Sequence, residues 1–162
     1  MTTNDITRLS EIFVSMEQLL EQYNDIAAVI LRTESEEIEL LTEKIAERQR
    51  LIDETEALRS EATSILDSVD KREAELIRNM LTGGTINQRI VDDRICKAVV
   101  NLRSAQMKAS ESDIALQRQF ESRLVEAREN LKQLNDDKKK LDYYSSLNQK
   151  GITLGGSLDS SY

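Results

Sequence analysis

The sequence predicts an all-α protein, an elongated antiparallel three-helix bundle or coiled coil with a two-helix arm at a Gly83-Gly84 turn and a flexible C-terminal tail. Three observations lead there. Proline and histidine are absent, and charged residues reach 32% against 4% aromatic, the profile of long solvated helices rather than of a sheet-based globule. Apolar residues recur in alternating steps of three and four along most of the chain. A single internal glycine pair interrupts that rhythm.

The first helix is expected over about 5–31. Its apolar line runs Ile6, Leu9, Phe13, Met16, Leu20, Tyr23, Ala27 and Ile30, and a second line through Ile12, Leu19 and Ile26 lies beside it. Two adjacent lines make a stripe too wide for a two-stranded seam, so this helix should touch at least two others. Asn4 or Asp5 is the expected N-cap.

RTESEE breaks the pattern, and Thr33 followed by Glu36 reads as a capping box opening a second helix over about 34–81. Its line is Ile38, Leu41, Ile45, Arg48, Ile52, Thr55, Arg59, Ala62, Leu66, Val69, Glu73, Leu76 and Met80, with a polar stretch at Thr55 to Arg59 where continuity is open. TGGT at 82–85 is a C-cap and turn signal.

The third helix is expected over about 86–148. Its line runs from Ile95 through Val99, Leu102, Gln106, Ala109, Asp113, Leu116 and Phe120, then after a one-residue stutter through Leu124, Ala127, Leu131, Leu134, Lys138 and Leu141. At ~1.5 Å per residue the three helices measure about 40, 70 and 90 Å. Helix one should therefore lie beside the first half of helix two and the last third of helix three, leaving a two-helix arm at the glycine turn. Residues 1–148 form the bundle on this reading, and 149–162 a Gly/Ser/Tyr tail.

The inventory disfavours an enzyme. Without histidine the usual general base is missing, and no serine or cysteine has an evident activating neighbour. Cys96 is the only cysteine and is expected to be a small buried apolar residue, with no disulfide and no zinc cage. Asp92-Asp93 and Asp136-Asp137 point to different sides of a helix and make poor metal ligands, so neither metal nor cofactor is expected. Lys138-Lys139-Lys140 reads as a solvated face, and Gly83-Gly84 and Gly155-Gly156 lack the context of a phosphate loop.

A net charge of -8 argues against nucleic acid and anionic membrane as partners. MTTNDITRLSE has no signal-peptide character and the longest apolar run, Ile26 to Leu31, is far short of a membrane span, so a cytoplasmic location without membrane insertion is expected. Two kinds of interaction protein remain. One is an escort that offers an apolar helical groove to a partner's amphipathic segment; the other is a homo-oligomeric coiled-coil spacer or scaffold, with a homodimer as its simplest form.

Three segments bear on the choice: TRLSEIFVSMEQLL (7–20), EEIELLTEKIAERQRLIDETEALR (36–59) and LKQLNDDKKKLDYYSSLNQKG (131–151). Together they resemble the small helical chaperones of the flagellar type III export system, of the FlgN and FliT type. The resemblance implies a cytoplasmic chaperone that binds the helical region of a hook-associated or filament-cap protein and delivers it to the export gate. It implies client contact along the final helix, at Leu124, Leu131, Leu134 and Leu141, and gate docking by Tyr143 or Tyr144. The Gly-Gly turn, the even heptads and the tyrosine-to-glycine spacing of the tail depart from the family pattern.

Overall fold

The computed structural model describes residues 1–34, 36–86 and 90–154, with side chains through residue 146. Among them are four helices and no strand: α1 (Thr3–Arg32), α2 (Ile38–Ser68), α3 (Lys71–Leu81) and α4 (Asp93–Leu154). The chain divides into two compact units, Met1–Gln119 and Phe120–Tyr162, and α4 contributes to both. That division falls next to the stutter between Phe120 and Leu124.

In the first unit α1 is capped by Thr2 rather than by Asn4 or Asp5. The Thr2 hydroxyl accepts the Asp5 N–H at 3.2 Å, and the Asp5 carboxylate accepts the Thr2 N–H at 2.9 Å, so each satisfies an otherwise orphaned donor. Thr33 does not open the second helix either. It closes α1, its N–H donating to the Val29 carbonyl and its hydroxyl donating to the same oxygen at 2.9 Å. α2 begins at Ile38 behind Glu37, which gives no side-chain cap.

The long second helix expected over 34–81 is two helices. Thr55 to Arg59 lies within a continuous α2, where the Thr55 hydroxyl donates to the Leu51 carbonyl at 2.7 Å. The break comes at Val69-Asp70. Asp70 caps α3 by accepting the N–H groups of Arg72 and Glu73 at 2.9 and 3.3 Å, which favours restarting the helix over continuing it. The Met1 ammonium pairs with the Glu73 carboxylate, tying this corner to the start of α1.

Reversal at Asp70 changes every later pairing. Arg8 binds Glu61, so α1 and α2 are antiparallel, and the Arg78–Asp67 pair turns α3 back along α2. α4 then runs parallel to α1: Arg94 meets the Thr7 hydroxyl at 3.4 Å, Ser112 meets Asn24 at 3.1 Å, and Gln119 donates to the Leu31 carbonyl at 3.0 Å. Helix one thus lies beside the first half of the final helix, not its last third. The third expected helix also starts later, at Asp93 instead of 86, and its backbone is helical past 148 to Leu154; the rest of the expected tail, 155–162, lies outside the described residues.

The glycine turn carries no two-helix arm. Gly83 adopts the left-handed conformation, φ 104°, directly after α3, and the Gly84 N–H donates to the Asn79 carbonyl at 2.7 Å. Ala74, Ile77 and Met80 of α3 are buried in one core with Leu9, Phe13 and Met16 of α1, Ala62 and Leu66 of α2, and Ile95, Val99 and Leu102 of α4. Full burial of each leucine, isoleucine, valine, methionine or phenylalanine side chain among them contributes ~1.5–3 kcal/mol. The region expected to be a two-helix arm therefore packs into a core shared by four helices.

In the second unit α4 is the one described element. Among the described residues of that unit no other element covers its apolar line.

Candidate functional site

Leu124, Leu131, Leu134 and Leu141 share one face of α4 because their spacings alternate between seven and three. All four are exposed, at 54, 61, 65 and 69%, and Ala127 and Lys138 complete the line. An isolated helix gains little from such a line in water, since its stability must come from burying that face against something. The four leucines thus form one row left open to solvent.

Tyr143 and Tyr144, one turn beyond Leu141, are both 63% exposed and meet edge to face with ring centroids 6.0 Å apart. The Ser146 hydroxyl donates to the Tyr143 carbonyl at 2.7 Å. Lys139 and Lys140 reach back to Asp136 and Asp137 at 3.8 and 3.4 Å, so that part of the lysine run is tied up in pairs within the helix. All six expected site residues thus belong to the second unit, the leucines in one row and the tyrosines just past its end.

The first unit holds features the periodicity did not separate. Ile38, Ile45 and Ile52, expected in the core line of helix two, are exposed, because the buried stripe of α2 follows Leu51, Thr55, Ala62 and Leu66. On α4, Val100, Met107 and Ile114 form a second exposed row at heptad spacing. A cleft of about 700 Å³ opens above Phe13, Met16, Leu66 and Leu102, with Arg59 and Arg78 on its rim. Gln106, Arg59 and Thr55 are three of the polar interruptions of the apolar lines; Gln106 and Arg59 line this cleft, and Thr55 with Arg59 lines a smaller one of about 290 Å³. A polar residue recurring at a core position was the available signal for a cleft.

A further interruption pair, Arg48 and Asp113, is resolved as a polar cluster with Tyr23. The Tyr23 hydroxyl donates to Asp113 Oδ1 at 2.7 Å, Arg48 pairs with the same carboxylate, and the guanidinium lies over the Tyr23 ring. Burial, reinforced by the bond to Asp113, pushes the Tyr23 phenol up to about 12, with Arg48 opposing the shift.

Chemistry elsewhere is sparse. Cys96 is buried at 1% exposure, its thiol donates to the Val91 carbonyl at 3.6 Å, and burial pushes its pKa up, which keeps it a protonated thiol. Asp92 binds the Arg94 side chain and N–H, and Asp93 binds Lys97 at 2.7 Å. Among the described residues no three acidic or cysteine side chains are grouped to hold a metal ion, and no helix is long and apolar enough to cross a membrane. Comparison with protein-family models, curated proteins and solved structures finds no match to this chain.

Proposed function

We propose that this chain is a helix-binding escort protein, a cytoplasmic chaperone of the flagellar export type. It binds the helical region of a hook-associated or filament-cap protein along the distal half of α4 and hands it to the export gate. The observation that carries the binding reading is the exposed row Leu124, Leu131, Leu134 and Leu141 on a helix with no other described element of its unit against it. The flagellar assignment rests on the resemblance of residues 7–20, 36–59 and 131–151.

In this reading a client's amphipathic helix lays its apolar face on the leucine row, which keeps the client from assembling early. Tyr143 and Tyr144 serve the gate contact, their rings offering large apolar area at low side-chain entropy cost. Ordering of a mobile client segment subtracts from the affinity, which suits a complex that must be released.

The test is calorimetric titration of the purified chain with the C-terminal helical segment of a hook-associated or cap protein. Saturable binding is expected, weakened at least about a hundredfold by Leu131→Ser with Leu134→Ser, a loss of about 2.7 kcal/mol or more. Equal affinity for the native chain and the double variant refutes the leucine row as the binding face.

A further inference from the structure

The same row has a chemistry that selects its own partner. With Leu124 at heptad position a, the seam reads Leu124 a, Ala127 d, Leu131 a, Leu134 d, Lys138 a and Leu141 d. The flanking e positions are Glu121, Arg128, Asn135 and Asp142, and the g positions are Arg123, Asn130, Asp137 and Tyr144. Whether two copies can share this seam depends on what these flanks meet.

Parallel, in-register pairing fails on charge. It sets Lys138 against Lys138 at the seam itself, Arg123 against Arg128 of the second copy, and Asp137 against Asp142 of the second copy. The last two repulsions occur twice in a symmetric pair.

Antiparallel pairing reverses the outcome. When Leu131 faces Leu134 of the second copy, Leu124 falls opposite Leu141, so every leucine of the row meets a leucine. The two residues that do not fit an apolar seam, Ala127 and Lys138, then fall opposite one another, and the small alanine leaves room for the lysine stem to lie along the seam with its ammonium in water. Arg128 meets Asn135, Asn130 meets Asp137, and Arg123 meets the face of Tyr144, an attractive cation–π arrangement. One like-charge contact remains, Glu121 with Asp142, at the two exposed ends where solvent screens it.

From this complementarity we infer that the distal half of α4 pairs with the same segment of a second copy of this chain, antiparallel, with Leu131 against Leu134. The pairing buries the row that the second unit leaves open. It stands on the chemistry of the seam and does not rest on the client reading. Client and second copy compete for one face, so client binding is displacement of the second copy, and the two readings fail separately: a pair that binds no client retains this inference, and a single chain that binds client discards it.

The experiment uses the full chain. At tens of micromolar, sedimentation equilibrium should give twice the 18.5 kDa mass of one chain. Leu131→Ser with Leu134→Ser should return it to the single-chain mass. Orientation is read by oxidation of single-site variants, with the buried Cys96 left in place. Ala127→Cys mixed with Lys138→Cys should form a disulfide between chains, and neither variant should do so alone. In the antiparallel pair two copies of position 127 stand about 16 Å apart along the axis, beyond the roughly 7 Å between Cα atoms that a disulfide spans. Self-linking of Ala127→Cys indicates parallel pairing and overturns the inference. So does a native chain of single-chain mass, a mass above two chains, or a double variant that remains paired.

Discussion

The Arg48 guanidinium carbon lies 3.9 Å from the centroid of the Tyr23 ring, and both side chains converge on the Asp113 carboxylate. One residue comes from each of α1, α2 and α4, and each occupies an apolar line of its own helix. The tyrosine and the two polar interruptions therefore form one layer. Since shifting any helix by a turn would strand at least one of them, the layer fixes the register of the three helices at a cost in pure stability.

Coupling within this layer is measurable. Tyr23→Phe removes a hydrogen bond to a charged acceptor and should cost about 1.5–3 kcal/mol. Asp113→Ala should cost a similar amount, and a double-mutant cycle by urea denaturation should give a coupling energy of about 1 kcal/mol. Strict additivity would mean that the Tyr23–Asp113 bond contributes nothing.

The layer also predicts an alkaline transition. The Tyr23 phenol ionises at about 12 in the folded chain, against an ordinary value of 10.0 that applies when unfolded. Hydroxide therefore favours the unfolded chain: the stabilisation linked to the neutral phenol is complete below pH 10 and is lost as pH rises through 12. Urea midpoints measured across that window should fall more steeply for the native protein than for Tyr23→Phe. Parallel slopes would contradict the assignment.

Asp70 holds the corner where the chain reverses. Asp70→Ala frees the amides of Arg72 and Glu73 and should destabilise the first unit by about 1 kcal/mol. Amide hydrogen exchange should accelerate first at those two residues. If Asp70→Ala leaves their protection unchanged, the cap is not what ends α2.

Gly84 tests the turn that follows α3. A Cβ there would stand 2.7 Å from the Asn79 carbonyl oxygen, which is backbone and cannot swing aside. Gly84→Ala should therefore lower stability by about 1–3 kcal/mol through displacement of the turn. Gly83→Ala, forced into the left-handed region at φ 104°, should cost about 1–2 kcal/mol with little steric conflict. Thermal denaturation of the two variants, compared with the native chain, checks both.

Much of the local structure is legible in the sequence. The heptad lines follow the helices and the glycine pair marks the end of α3, whereas the division at Gln119–Phe120 was not read from the stutter beside it. Asp70 followed three residues later by Glu73 is a capping signal of the kind assigned instead to Thr33 and Glu36. It was masked because Val69, Glu73, Leu76 and Met80 continue the apolar rhythm of α2 across the break. The exposure of Ile38, Ile45 and Ile52 was not legible, since an apolar residue at the correct spacing carries no mark of whether a partner reaches it.

By itself, then, the sequence determined that the chain is helical, that apolar lines run along most of it, and that one leucine row with two tyrosines follows the stutter. Those properties are set by contacts within a turn or two, which a linear pattern records. Only the tertiary structure decided that α1 packs on the first half of α4, that α3 enters the core, and that Tyr23, Arg48 and Asp113 meet. Heptad stripes are interchangeable, so their pairing depends on where the chain turns, and the cap at Asp70, a local feature of about 1 kcal/mol, marks one of those turns.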